Sequence, residues 1–192
     1  LTLDGVRLNN IIYRSGNLHN IIGIDPNILE GVEVLFGPAS VIYGSDALGG
    51  AINFKIKDPT FNLNKTIFFN SQKIQYNSSS NSKHYSLNFG FSSKKIGTIT
   101  SFSFNSFQNL KSGKNRNKYY EDFGYRDEYV VRDYINNEDK IISNNNTNLQ
   151  KFSAYSQLDF INKINIKLRN NANLIHGIYL SKSSNIPRYD RL

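Results

Sequence analysis

Residues 30–57 read E-G-V-E-V-L-F-G-P-A-S-V-I-Y-G-S-D-A-L-G-G-A-I-N-F-K-I-K. Val32, Val34 and Phe36 alternate with Glu33 and Leu35, which predicts a strand. Gly37-Pro38 stops it, because Pro38 has no N–H for a ladder and biases Gly37 away from helix. Tyr43-Gly44-Ser45-Asp46 is turn chemistry: Gly44 tolerates φ > 0 and the Asp46 side chain can bond nearby backbone N–H groups. Gly49-Gly50 permits close backbone approach before a second strand, Ala51–Lys57. The segment is therefore strand, tight glycine-rich crossover, strand. A phosphate cradle is excluded, since no G-x-x-x-x-G-K-[ST] occurs and no G-x-G-x-x-G opens a helix.

Beyond Pro59 the text changes to aromatic, alternating segments separated by Asn/Ser-rich stretches. Tyr85, Leu87, Phe89 and Phe91 alternate with His84, Ser86, Asn88, Gly90 and Ser92, a strand with one apolar and one polar face. Phe102 and Phe104 alternate with Ser101, Ser103 and Asn105. Phe152, Ala154, Leu158 and Phe160 oppose Ser153, Tyr155, Gln157 and Asp159, and the parity runs on through Ile164, Ile166 and Leu168 against Lys163, Asn165 and Lys167. Weaker strands are expected at Lys65–Tyr76 and Leu174–Lys182. The connections are a Ser/Asn tract at Asn77–Lys83, a tight turn at Lys94–Ile96, a long polar loop at Asn109–Leu149 and a tight turn at Arg169–Ala172. Transmembrane barrels alternate short periplasmic turns with longer outer loops in this way. A soluble β-sandwich remains open on the strands alone.

The chain has 192 residues and no Cys, so disulfides, thiolate metal sites and Cys nucleophiles are excluded. No apolar run approaches the ~20 residues of a membrane-spanning helix. That leaves barrel strands untouched, because their average hydropathy is unremarkable; the mean hydropathy here is −0.47. The net charge of +8 comes from scattered Lys residues with no dense basic run, so a solvated surface is expected and no nucleic-acid partner. No H-E-x-x-H, no G-x-S-x-G and no evident carboxylate pair points to catalysis or to a resident metal or cofactor. His19, His84 and His176 are single residues without a ligand partner in the pattern.

Taken whole, residues 30–57 resemble the end of the plug of TonB-dependent outer-membrane receptors, where a pattern like E-V-x-x-G-P-x-S-x-x-Y-G-x-x-A-x-G-G-x-I-N leads into the barrel. The matching positions are Glu33, Val34, Gly37, Pro38, Ser40, Tyr43, Gly44, Ala47, Gly49, Gly50, Ile52 and Asn53. Upstream, Leu3-Asp4-Gly5-Val6 resembles the plug's L-D-G-V strand and turn. The resemblance implies an all-β chain: the C-terminal part of a plug over residues 1–59, then about five antiparallel strands of an incomplete transmembrane barrel over residues 60–192. It implies outer-membrane lipid and a TonB-type energy-transducing protein as partners, the latter acting through a box expected upstream of these residues. Leu1 and Leu192 both read as cut ends.

The resemblance also implies import of a small-molecule or haemoprotein ligand in a Gram-negative outer membrane, with no enzyme activity. G-P-A-S in place of K-D-A-x argues against polysaccharide import. Y-G-S-D-A-L-G-G resembles branches importing haem, iron-siderophores or cobalamin, and Arg14–Asn17 with Ser184–Leu192 look most like the haem type. Candidate ligand contacts are Arg14, Asn17 and His19 on an apical plug loop, and Tyr119, Tyr120, Tyr125 and Arg126 in the long loop, whose rings and cations suit stacking and anion contacts. One departure stands out: the family commonly has Arg before Gly37-Pro38, thought to hold the plug to acidic wall partners, and here Phe36 occupies that place. A soluble β-rich binding or adhesion module is the alternative of a different class.

The loop–turn alternation places Asn109–Leu149 outside the cell and Lys94–Ile96 and Arg169–Ala172 in the periplasm. Epitope tags inserted at each site of the full-length protein should label on intact cells only within the long loop. Labelling at Lys95 and not in the loop would invert this topology.

Overall fold

The computed structural model describes residues 1–8, 24–37, 47, 49–115, 117–120, 123–169 and 172–185. Among these the chain is all-β, apart from a single 3-10 turn at Pro26–Ile28. The first sheet has four strands. β1 (Thr2–Leu3) and β2 (Val6–Arg7) pair antiparallel through Asp4-Gly5. Both turn residues have positive φ, 48° and 79°, the signature of a two-residue hairpin turn whose twist matches its strands. β3 (Leu29–Phe36) pairs antiparallel with β4 (Gly50–Ile56), setting Val34 opposite Ile52 and Phe36 opposite Gly50. β1 then lies parallel to β4 on its other side, giving the order β2-β1-β4-β3.

The second sheet has five strands: β5 (Ile67–Asn77), β6 (Ser82–Ser92), β7 (Ile96–Phe107), β10 (Tyr155–Lys167) and β11 (Asn173–Ser183), ordered β11-β10-β7-β6-β5. Taken in chain order these five strands each pair with the next of the five, so the sheet is a meander. Cross-strand contacts run in opposite directions along neighbours: His84 meets Asn105 at 2.5 Å, while Phe91 meets Thr98 at 3.4 Å. The strands are 11 to 13 residues long, at or just above the about 9–11 that cross a bilayer. Each lies where the alternation put it except that β10 begins at Tyr155 and not at Phe152, which sits in a turn with φ 59°.

The long connection differs from the sequence expectation. It is not loop throughout, because β8 (Glu128–Asp133) and β9 (Glu138–Ser143) pair as a separate antiparallel hairpin. Its charged residues, Arg132 with Asp139 and Lys140 with Asp133, pair across the strands, and that polarity hid the hairpin from a hydrophobic-period reading. At its tip the Asp133 carboxylate accepts from the N–H groups of Ile135 and Asn136. Lys140 and these amides hold the Asp133 carboxyl down at about 2.

The residues form two compact units. One comprises Leu1–Gln72, Ser86–Phe102 and Asp159–Leu180. Its apolar core joins Leu3, Ile28, Phe54 and Ile56 of the first sheet and its entry turn to Ile99 and Ile161 of the meander. The other comprises Lys73–Tyr85, Ser103–Leu158 and Ser181–Leu192. Rings pair within it: Phe107 on Tyr155 at 4.7 Å and Tyr129 edge-on to Phe152 at 5.7 Å.

Burial along the meander is inverted relative to a soluble protein. Ser86, Asn88, Ser101, Ser103, Asn105, Gln157, Asp159, Lys163 and Asn165 are buried, whereas Phe89, Phe102, Phe104 and Leu158 are exposed. A soluble sandwich would bury the aromatic face and wet the serines and asparagines. A barrel wall does the reverse, with apolar residues outward to lipid. Ile99 and Ile161 depart from the pattern as inward apolar residues, and both meet the first sheet. The barrel is not closed by five strands.

Phe89 tests this inversion. In the full-length protein, Phe89→Arg should impede barrel assembly by about 2–4 kcal/mol if it lies near the bilayer midplane. Phe89→Ala should be tolerated, because no protein core is emptied. A sandwich core would instead lose about 3–5 kcal/mol on truncation to Ala. Heat-modifiable migration scores assembly, and an alanine defect as large as the arginine defect would overturn the lipid-facing assignment.

Candidate functional site

Of the motif residues, Glu33, Val34, Gly50, Ile52 and Asn53 meet on the first sheet. Asn53, at the middle of β4, stands opposite Glu33 on β3 and opposite Thr2 on β1. Its amide donates to Glu33 Oε2 at 3.1 Å, and its carbonyl oxygen accepts from the Thr2 hydroxyl at 2.8 Å. One carboxamide thus ties three strands, which uses both its donor and its acceptor ends. Gly50 has φ +141°, and a Cβ there would stand 2.4 Å from the Leu35 carbonyl oxygen. Gly49 carries no such constraint, with open space around it. Gly37 directly follows β3, and Ala47 is buried. Pro38, Ser40, Tyr43 and Gly44 lie outside the described residues, as do Arg14, Asn17 and His19.

The densest polar contact is one that motif reading did not single out. Asp4, in the β1–β2 turn, donates its N–H to Phe54 O at 2.8 Å and accepts at Oδ1 from the Ile56 N–H at 2.9 Å. Its other oxygen, Oδ2, accepts from Lys163 Nζ on β10 and from the Tyr179 hydroxyl on β11, both at 2.8 Å. Lys163 also reaches Asp58 Oδ1 at 2.5 Å, and only 7 % of its side chain is exposed. A cation this deep carries a desolvation cost of several kcal/mol, which the two carboxylates offset. A second polar contact joins the Ser86 hydroxyl of β6 to Asp25, whose carboxylate also caps the 3-10 turn through the Asn27 N–H.

The chain between the sheets follows the same inner face. The Pro59 carbonyl accepts from Asn165 Nδ2 at 3.2 Å, the Thr60 and Ser92 hydroxyls lie 3.2 Å apart, and the Asn62 N–H donates to Ser93 O at 3.0 Å. Gly97 opens β7 where this chain crosses it: a Cβ at Gly97 would be 2.4 Å from Thr60 O and 3.2 Å from Pro59.

In the other unit, Tyr120 lines a cavity of about 520 Å³ with Ser112, Gly113, Asn115, Asn117, Phe123 and Gly124. Phe123 was not among the sequence candidates. Tyr119 stands exposed with Lys118 Nζ 5.1 Å from its ring centre, and Tyr125 and Arg126 do not line the cavity.

The TonB-dependent Receptor Plug Domain family matches residues 1–51. The ferrichrome outer membrane transporter/phage receptor of Escherichia coli (strain K12) is 39 % identical over 67 residues, 35 % of this chain and 8 % of that protein. The ferrioxamine receptor of Yersinia enterocolitica is 37 % identical over 59 residues, 31 % of this chain and 8 % of its own length. The ferrioxamine B receptor of Salmonella typhimurium (strain SL1344) is 38 % identical over 61 residues, 31 % of this chain and 9 % of its own length. Residues 1–51 carry the plug domain of the TonB-dependent receptors. The chain matches less than a tenth of the length of these relatives.

The first sheet and the meander are joined by an ion pair that does not use the position before Gly37-Pro38. Phe36, in the place where the resemblance implies Arg, is 90 % exposed. The plug offers the carboxylate, Asp4, and the wall offers the cation, Lys163. The period-2 reading had assigned Lys163 to the inward face, and Asp4 belongs to the L-D-G-V text. Nothing in the sequence paired them across 159 positions.

Gly50 gives a direct test of the plug's backbone geometry. In the full-length receptor, Gly50→Val should lower uptake by displacing Leu35 and with it the β3–β4 pairing, while the barrel still migrates as heat-modifiable. Unchanged uptake kinetics would show that the positive φ is not needed.

Proposed function

We propose that the full-length protein is an outer-membrane transporter for an iron-siderophore, driven through its plug by a TonB-type protein. In this reading residues 1–59 end the plug and residues 60–192 begin the barrel. The observation that carries it is the plug-family match over residues 1–51, leading into a wall whose polar face is buried and whose aromatic face is bare. A barrel that shows lipid its apolar side and keeps a polar interior is built for passage, not for catalysis. No catalytic step is assigned to it.

The relatives named above are receptors for ferrichrome and ferrioxamine, which supports a ferric siderophore over haem or cobalamin. Arg14, Asn17 and His19 on the plug, and Tyr119, Tyr120, Tyr125 and Arg126 in the outer loop, remain the proposed ligand contacts, with Phe123 added beside Tyr120. Neutral aromatic and amide surfaces suit a compact, partly apolar complex.

The test is uptake of ⁵⁵Fe in receptor-deficient, TonB-competent cells carrying the full-length gene. Ferrichrome or ferrioxamine B should be imported, and deletion of the energy-transducing protein should abolish the signal. Growth on haemin with no siderophore uptake would replace the siderophore reading with haem. TonB-independent uptake of every probe would overturn the transporter reading.

A further inference from the structure

The wall contact contains one cation and two carboxylates, and the segments carrying the two carboxylates are fastened to different sheets. Asp4 is fastened to the plug sheet: its N–H and Oδ1 bond Phe54 and Ile56 of β4. Lys57 is also on the plug side, because its N–H donates to Ile28 O at 3.0 Å and its ammonium to Asn27 O at 2.8 Å. Asp58 begins the stretch that is bonded to the meander. From Asp58 to Asn62 the chain is moored to the wall by Lys163, Asn165, Ser92 and Ser93, and it lies on Gly97. The change of allegiance falls on the Lys57–Asp58 peptide.

We propose that Lys163 is the pivot of a releasable catch, in which Asp4 leaves with the plug and Asp58 stays on the wall as the counter-charge. The proposal rests on the plugged-receptor reading. The physical reason is the asymmetry of buried ion pairs. Stripping an interior ammonium of its only carboxylate leaves an uncompensated charge, which is strongly penalised. With Asp58 2.5 Å away, Lys163 keeps a partner after Asp4 departs. Asp4 meanwhile moves toward water, where its carboxylate is readily solvated. The catch therefore holds the plug at rest yet opens without creating a bare buried cation. The Tyr179 hydroxyl adds a second bond to the same Asp4 oxygen and must also let go.

The two carboxylates should consequently act in opposite directions. The full-length receptor is reconstituted in planar bilayers, and plug opening is read as the rate of conductance events. Asp4→Asn should raise that rate about tenfold, the loss of one charge-assisted bond. Asp58→Asn should lower it by a similar factor, because Lys163 then has Asp4 alone. A rise in both variants, or no change in Asp58→Asn, overturns the pivot. A disulfide between Asn62→Cys and Ser93→Cys tests the mooring without touching a charge. It should leave opening unchanged, and a blocked channel would show that the linker itself must leave the wall. Heat-modifiable migration of the wild type separates the two levels: a wild type that never forms a barrel defeats the receptor reading, whereas an assembled barrel with the wrong order of variants defeats the catch alone. Should the Asp58→Asn barrel not assemble, Asp58→Glu keeps the charge and should retain the wild-type rate; a tenfold rise there overturns the proposal.

Discussion

The contact from Lys163 to Asp4 is the interaction on which the arrangement of plug and wall depends. It joins a hairpin turn at the start of the chain to a wall strand, and it sits where the last plug strand ends. A buried lysine cannot be accommodated by apolar packing, so its position dictates which residues must surround it. Asp4, Asp58 and Tyr179 are those residues, and each comes from a different element. The apolar core around Leu3, Ile28, Phe54, Ile56, Ile99 and Ile161 supplies adhesion in the same unit. Adhesion of that kind is non-directional, whereas the ion pair selects one seating.

Much of the fold was legible because a strand's period is two and the wall's two faces differ so sharply in chemistry. Tyr85 to Phe91, Phe102 with Phe104, and Leu158 to Ile166 announce outward faces without ambiguity. Edge strands β5 and β11 read less clearly, and their residues are almost wholly exposed on both faces. One misreading and one feature left unread have physical causes. The β8–β9 hairpin is stabilised by cross-strand charges, and its side chains carry little apolar contrast to count. Ile99 and Ile161 break the polar inward face because the plug presses an apolar patch there, which is a tertiary demand with no local signature. The plug motif was readable as a family pattern, yet its mechanics were not: that Asn53 spans Glu33 and Thr2 follows from a register only the folded sheet shows.

Phe36 illustrates how a familiar pattern can relocate its chemistry. Phe36 stands where the resemblance implies Arg, and the ionic contact between the two sheets lies toward the other edge of the first sheet, from Asp4 to Lys163. β3 and β2 are the two edges of that sheet, and the Asp4 turn joins β2 to β1. A turn is a sound place for such a group. Its backbone is fixed by two positive φ angles, so the carboxylate is aimed before the wall arrives. Less side-chain and backbone freedom is then lost on seating.

On the proposed transport reading, a plug that must move sets a limit on how apolar its seat can be. Each square ångström of apolar wall uncovered costs roughly 25 cal/mol on exposure to water. Polar wall residues exchange protein partners for water at a much smaller net cost, about 0.5–1.5 kcal/mol per hydrogen bond. The inward face of Ser86, Asn88, Ser101, Asp159, Lys163 and Asn165 therefore makes a seat that water can take over. Among the described residues, the buried Asn88 and Asn165 carbonyl oxygens accept no hydrogen bond from protein. Ile99 and Ile161 are the apolar exception, two residues where separation has a hydrophobic cost. Placed beside Lys163, they add adhesion where the plug also has its directional bond, so resistance to release is concentrated at one end of the plug sheet and the rest of the polar face can separate at little cost.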